Sequence, residues 1–249
     1  MTQKQSPKQS TWLFGVHACL KALENPHREV HQCFVVPIVY EKHAAVLRTC
    51  SNITQVDKAF FHERFPTIVH QGIALEVAPL SAQTLHDLAL QKQETAIVVV
   101  LDHITDPHNI GAVLRASAAF GVHAVITTER HAPQDEGTVA KVASGALDVV
   151  PFIKEVNLVR TLEDLKSQGF WIYGLDEQGE ILSRRSDFSG KVAIVMGAEG
   201  KGLRRLTKEH CDHLIALPTA HTFTTLNVAT ATAVTLYEVY QQLYKRQDV

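Results

Sequence analysis

The stretch Leu101-Asp102-His103-Ile104-Thr105-Asp106-Pro107-His108-Asn109-Ile110-Gly111-Ala112-Val113-Leu114-Arg115 extends the β-branched run Ala96 to Leu101 and leads into small residues ending at Gly121. A continuous apolar run of this kind is expected of a strand buried on both faces of a parallel sheet. Asp106-Pro107 reads as a turn, and Arg115 to Gly121 as a helix that the glycine ends. Asn109 and Arg115 thereby fall at a strand-to-helix junction, where functional groups tend to collect. Two later segments repeat the strand-then-loop pattern. One is Ile194-Val195-Met196-Gly197-Ala198-Glu199-Gly200-Lys201-Gly202-Leu203. The other runs from Ile215-Ala216-Leu217-Pro218 to Thr225-Leu226-Asn227-Val228-Ala229 and enters a C-terminal helix, Val228 to Tyr244.

In this order and spacing, the three segments resemble the SpoU (TrmH) family of RNA 2′-O-ribose methyltransferases. That family has an Asn and an Arg in its first motif, a Gly-Glu-Gly loop in its second, and Ser-Leu-Asn before a helix in its third. Asn109, Arg115, Gly197, Glu199, Gly200, Gly202, Leu226 and Asn227 sit where the pattern wants them. The beginning Leu13-Phe14-Gly15-Val16-His17-Ala18-Cys19-Leu20-Lys21-Ala22-Leu23 resembles the small N-terminal RNA-binding domain of the subgroup that modifies large-subunit ribosomal RNA. The resemblance implies an α/β protein of the SPOUT type, with a parallel sheet, a C-terminal deep trefoil knot and a small N-terminal α/β RNA-binding domain. It further implies a homodimer, with S-adenosylmethionine as methyl donor and no metal. The catalytic residues it assigns are Asn109, Arg115, Glu199, Thr225 and Asn227, and the cofactor contacts are Met196, Gly197, Leu217 and Leu226. This chain departs from the pattern in the third motif, with Thr225 for the usual Ser, His221 for a frequent Gly, and Ala229 for a Ser. Threonine keeps the hydroxyl, whereas His221 adds bulk and a titratable group beside the expected cofactor loop.

Composition sets broader bounds. A chain of 249 residues with 45% hydrophobic content has room for one large domain or two modest ones. No apolar run approaches the roughly eighteen residues of a membrane span, and the first ten residues are polar, so a cytoplasmic protein is expected. Cys19, Cys33, Cys50 and Cys211 lack C-x-x-C spacing, which favours free, mostly buried thiols over a disulfide frame or zinc site. The net charge of −2 argues against a generally basic coat but not against a local RNA patch. Residues 1–78 hold eight Lys or Arg against six Asp or Glu, with six histidines.

Along the chain, residues 1–11 read as a tail and 12–78 as a compact α/β module, which the resemblance makes the RNA substrate-binding domain. Residues 79–92 read as a linker with a helical turn, and 93–249 as the catalytic domain. Within the module, strands are expected at Cys33–Val39, Ile53–Val56 and Gly72–Val77, and helices at Gly15–Leu23, Lys42–Cys50 and Lys58–Phe65. The second domain alternates strand and helix, with one of the strands expected at Phe170–Leu175, as a parallel sheet covered by helices requires.

Ribose methylation needs an in-line oxygen nucleophile, loss of its proton, and a dry, well-positioned site. Arginine is a poor base because its pKa exceeds about 12, so a role for Arg115 in binding phosphate and polarising the hydroxyl is physically easier. Asn109 can hold Arg115 or the ribose in register, or simply serve turn chemistry. Glu199 can pair with Arg115 or a substrate hydroxyl, or be solvated. Gly197, Gly200 and Gly202 fit neither G-x-G-x-x-G nor a P-loop, but allow close backbone approach to a ligand. Lys201, Arg204, Arg205 and Lys208 fit RNA phosphates or a solvated helix face equally. His210, Cys211, Asp212 and His213 are too close together for the usual metal spacing. Val234, Leu236, Val239 and Leu243 form an apolar stripe that one domain need not bury fully, available to a dimer. The resemblance implies large-subunit ribosomal RNA as the substrate, with guanosine as the nucleoside. Transfer RNA is the rival substrate, and a catalytically silent RNA-binding assembly factor the rival class.

Overall fold

The computed structural model describes residues 10–132, 136–182, 187–220 and 225–244. These form two compact units, one running to Ser81 and including Ala140–Val149, the other comprising Ala82–Val139 and the chain from Val150.

In the first unit the order is β1 (Thr11–Phe14), α1 (Val16–Glu24), β2 (Val30–Val35), α2 (Pro37–Lys42), α3 (Ala44–Leu47), β3 (Ile53–Gln55), α4 (Lys58–Arg64) and β4 (Ile73–Val77). The strands make one sheet ordered β1-β4-β2-β3, in which only the β2–β3 pair is parallel. The second strand stops at Val35, short of the expected Val39, because Pro37 has a ring-fixed φ suited to a first helical turn and opens α2 there. Alternation along the strands sends Leu13, Cys33, Val35, Ile73, Leu75 and Val77 into a core with Cys19, Ala22 and Leu47. Trp12, Phe14, Phe34 and Ala74 belong to the other face, where Phe61 of α4 is buried. Asp57 caps α4 by accepting from the Phe60 N–H at 2.9 Å.

The segment Ala140–Val149, read from sequence as part of the second domain, packs in this first unit. Arg28 grips Asp148 with two hydrogen bonds, Nε to Oδ1 at 2.7 Å and Nη2 to Oδ2 at 3.0 Å. Asn25 also donates to Asp148, and Arg28 Nη1 donates to the Ala78 carbonyl. Both charged side chains are almost fully buried, a state tolerable only for a pair as completely hydrogen-bonded as this one.

The second unit follows with β5 (Ala96–Asp102), α5 (Pro107–Ala119), β6 (Ala124–Thr128), α6 (Glu136–Ala143, which continues into the segment above), β7 (Phe152–Glu155), α7 (Leu158–Ser167), β8 (Phe170–Ile181), β9 (Lys191–Gly197), α8 (Arg205–Glu209), β10 (His213–Ala216) and α9 (Val228–Tyr244). The expected parallel sheet is present, six strands in the order β10-β8-β9-β5-β6-β7, every pair parallel. The interior strand β5 is buried at all seven positions. From β5 the chain winds outward through β6 and β7. It then crosses to the opposite side of β5, where β9 inserts between β5 and β8. The direction of winding therefore reverses between β5 and β9, and at such a switch point the loops leaving the strands diverge and open a crevice.

Three readings of local structure change. Asp106-Pro107 is not a free turn: Asp106 caps α5 by accepting from the His108 N–H at 3.0 Å, and Pro107 occupies the first helical turn. Asn109 is therefore a helical residue. Second, β8 extends to Ile181, well beyond the apolar run Phe170–Leu175, because its distal part pairs with β10 across a register shift. The stripe on α9 changes most: Leu236, Val239 and Leu243 are buried within the chain, leaving Val234 and Tyr237 about half exposed. The helix α9 packs against α5, with Phe120 edge-on to Tyr237, so the buried side of the stripe serves this unit's own core.

Candidate active site

Where β5 and β9 end side by side, Asp102 pairs with Gly197 in the sheet register. Asp102 is fully buried, and its carboxylate accepts from Arg204 twice, from Nε at 2.6 Å and from the backbone N–H at 3.0 Å. This ties the far end of the glycine-rich loop to the strand from which α5 springs. The loop closes on itself through a bridge between Ala198 and Gly202, the Gly202 N–H donating to the Ala198 carbonyl at 2.8 Å. Gly200 and Gly202 have φ of +75° and +61°, and among the described residues no atom beyond their own chain neighbours lies within 4 Å of where a side chain on either would begin. The bare backbone of this loop is thus open to a ligand.

Three of the expected catalytic residues meet above this loop. Asn109, from the first turn of α5, donates from Nδ2 to Glu199 Oε1 at 3.3 Å. Asn227 donates from its own Nδ2 to Asn109 Oδ1 at 2.8 Å and to the same Glu199 oxygen at 2.9 Å. Asn227 is also the cap of α9, its Oδ1 accepting from the Ala229 and Thr230 N–H groups at 2.9 and 3.4 Å. The two amides direct donors at one carboxylate oxygen and hold it in a single orientation; Oε2 receives no hydrogen bond among the described residues.

Arg115 is not part of this network. It lies six residues beyond Asn109 on α5, about 1.7 helical turns, and is exposed, with no hydrogen bond or ion pair among the described residues. Thr225 and Leu226 are exposed just before Asn227, Leu217 is half-buried after β10, Met196 is buried at the end of β9, and Gly197 is half-buried. His221 lies outside the described residues.

Of the four cations grouped around α8, three already have carboxylate partners: Arg204 on Asp102, Arg205 on Glu209, and Lys208 on Asp176. Lys201 alone stands exposed in the glycine loop without such a partner among the described residues. The His210-Cys211-Asp212-His213 run is absorbed by structure. Asp212 binds Lys166 at 2.6 Å and the Ile172 N–H at 2.8 Å, and Cys211, its thiol pushed up to about 12 by burial, donates to the Thr207 carbonyl. Sequence reasoning missed the Asp102–Arg204 tie. Its visible signal is an acid ending a strand otherwise buried throughout, which must find a partner.

Residues 96–237 match the family model described as SpoU rRNA Methylase family, and residues 12–83 match that described as RNA 2'-O ribose methyltransferase substrate binding. The chain belongs to the SpoU rRNA methylase family. Among its relatives, the 23S rRNA (guanosine-2'-O-)-methyltransferase RlmB of Yersinia pestis is 39% identical over 242 residues, covering 92% of this chain and 96% of that protein. The protein of the same name from Escherichia coli K12 is 35% identical, covering 94% of this chain and 99% of its own length. The fold is shared with the SpoU methyltransferase AviRb of Streptomyces viridochromogenes, solved in complex with AdoMet, at a TM-score of 0.75 and 22% identity over 94% of this chain and 90% of that one.

Proposed function

We propose that this chain transfers a methyl group from S-adenosylmethionine to a ribose 2′-hydroxyl of large-subunit ribosomal RNA, at a guanosine. The observation carrying this reading is the Asn109–Glu199–Asn227 network above an open glycine backbone, at the switch point of the sheet. Relatives named as 23S rRNA guanosine methyltransferases, matching over nearly their whole length, support the substrate. The residues fit the methyl donor: no described residue crowds the Gly200 and Gly202 backbone, and Met196, Gly197, Leu217 and Leu226 are the residues that would offer it main-chain groups and apolar contact. When bound, S-adenosylmethionine supplies a sulfonium-activated methyl group.

Glu199, oriented by two amides, receives the ribose through a hydroxyl, and its position fixes the sugar's register. Arg115, exposed and without a carboxylate partner among the described residues, is free to bind the RNA phosphate and polarise the nucleophilic oxygen. Thr225, exposed two residues before Asn227, offers its hydroxyl to the substrate. The protein acts as a cytoplasmic homodimer through the outer face of α9, where Val234 and Tyr237 remain exposed. Among the described residues no helix is long and apolar enough to cross a membrane. The C-terminal half of the second unit carries the deep trefoil knot that the family implies. In support, β10 occupies the sheet edge, yet Asn227 returns to Asn109 beyond the interior strand β5.

The test is methyl transfer from labelled S-adenosylmethionine to total RNA of cells lacking the protein, with ribose methylation mapped. Label in 23S RNA is expected; label confined to tRNA, or none, overturns the reading. Arg115→Ala is expected to lower turnover at least about a hundredfold while S-adenosylhomocysteine affinity in calorimetry stays within about twofold. Equal loss of both assigns Arg115 a structural part instead.

A further inference from the structure

On the outer face of the first unit's sheet, Phe61 with Val36 and Ala74 fills the buried centre, while Trp12, Phe34, Phe60 and Phe65 stay partly exposed around it. The Trp12 and Phe34 rings lie 6.1 Å apart and within 25° of parallel, offering broad π surface along one side of the sheet. Over it lies the Arg64 guanidinium, 5.2 Å from the Trp12 ring centre, 5.3 Å from Phe34, 5.8 Å from Phe60 and 5.9 Å from Phe65. Arg64 is exposed and has no carboxylate partner among the described residues. A cleft of about 430 Å³ opens beside it, lined by Phe60, Glu63 and Arg64.

A guanidinium lying on aromatic rings keeps its edge N–H groups free, and the part of each ring that stays exposed beside it is surface on which another π system can stack. Ring faces beside an unpaired cation match the two halves of a nucleotide, its base and its phosphate. They do not match an RNA duplex, whose bases are stacked on one another and whose deep groove excludes side chains; unpaired bases are read by stacking on aromatics. Glu63 repels a phosphate from its side of the cleft and faces the N–H groups of a base, so the nucleotide is oriented with its phosphate toward Arg64.

We infer that Trp12, Phe34 and Phe60, gathered around Arg64 on this sheet face, form a site for an unpaired nucleotide of the RNA, with its base on the rings and its phosphate on the guanidinium. RNA as the occupant rests on the function proposed above; the placement rests on the geometry.

The chain has two tryptophans, Trp12 and Trp171. Trp171 is half exposed, so Trp171→Phe leaves Trp12 as a sole reporter at little structural cost. The full chain carrying this change is titrated at fixed salt with an unstructured RNA oligonucleotide and with a blunt duplex of the same sequence. Trp12 emission is expected to be quenched by the single strand and not by the duplex. In the otherwise unaltered chain, Arg64→Gln and Phe60→Leu should each weaken single-strand binding, followed by RNA anisotropy, about tenfold, with Arg64→Lys recovering only part. Melting temperature and S-adenosylhomocysteine affinity should stay as they were. Unquenched Trp12, equal quenching by duplex, or affinities within twofold for both variants overturn the site. Quenching without methyl transfer to any RNA keeps the site and removes the enzymatic reading. Methyl transfer with Trp12 unmoved removes the site alone.

Discussion

Asn227 does two jobs with one amide, and the two can be separated by substitution. Its oxygen caps α9 and its nitrogen orients Glu199 and Asn109. Asn227→Ala loses both and should cost about 1 kcal/mol, the usual worth of a cap. Asn227→Asp keeps the capping oxygen but points a carboxylate at Glu199. Thermal unfolding should therefore distinguish the two variants, whereas both should lose most methyl transfer; an active Asp variant would show that the donated hydrogen bonds are dispensable. A second residue carries a pH dependence. His123 is held below its ordinary 6.5 by half-burial, and its Nδ1 accepts from the Ile97 N–H at 3.2 Å, which only the neutral ring can do. As pH falls, the unfolded chain takes up this proton first. Stability is therefore full above about 6.5 and declines below it. In urea titrations between pH 7.5 and 5, His123→Asn should flatten that decline; an unchanged slope would assign it to other groups.

At the scale of elements, the glycine loop is held from both ends, by the Ala198–Gly202 bridge and by the Asp102–Arg204 tie. A side chain at Gly197 would begin 2.2 Å from the Gly202 carbonyl carbon and 2.4 Å from the Leu203 nitrogen. These are backbone atoms of the loop's own far end and cannot step aside. Gly197→Val is thus expected to lose cofactor binding and stability together, by roughly 1–3 kcal/mol as in other overpacked sites, read as a fall of several degrees in Tm. Gly200→Ala meets open space and suffers only from its positive φ, about 1–2 kcal/mol. Calorimetry finding ligand binding intact in Gly197→Val would mean that the loop is not closed in this way in solution. The glycine spacing was legible in the sequence, but not the reason Gly197 must be glycine: its neighbour in space is five residues away across a turn that spacing does not describe.

For the whole molecule, α9 divides its apolar residues between two destinations. Leu236, Val239 and Leu243 are spent on the chain's own core, while Val234 and Tyr237 stay about half exposed, Tyr237 with one edge against Phe120. Under the proposed dimer, light scattering at micromolar concentration should give twice 27.6 kDa, and Val234→Asp with Tyr237→Glu should give the single-chain mass without loss of helicity. A single-chain mass for the unaltered protein would remove the dimer and leave the fold untouched. The split could not be read from the stripe itself. Val234 and Leu236 look alike in a list of apolar residues, and only the position of α5 against one side of α9 separates them.

The sequence by itself determined the strands that are apolar throughout, the parallel character of the main sheet, and the identity of the residues that gather at its switch point. These depend on local periodicity and on short motifs, properties of neighbours along the chain. Tertiary structure alone decided that β9 inserts beside β5, because strand order depends on pairing between segments nearly a hundred residues apart. That insertion joins Asn109, Glu199 and Asn227 into one network and leaves Arg115 outside it. The tertiary structure likewise assigned Ala140–Val149 to the first unit through the buried Arg28–Asp148 pair. Nothing local distinguishes that arginine or that aspartate from solvated ones, since its partner is what permits each charge to be buried.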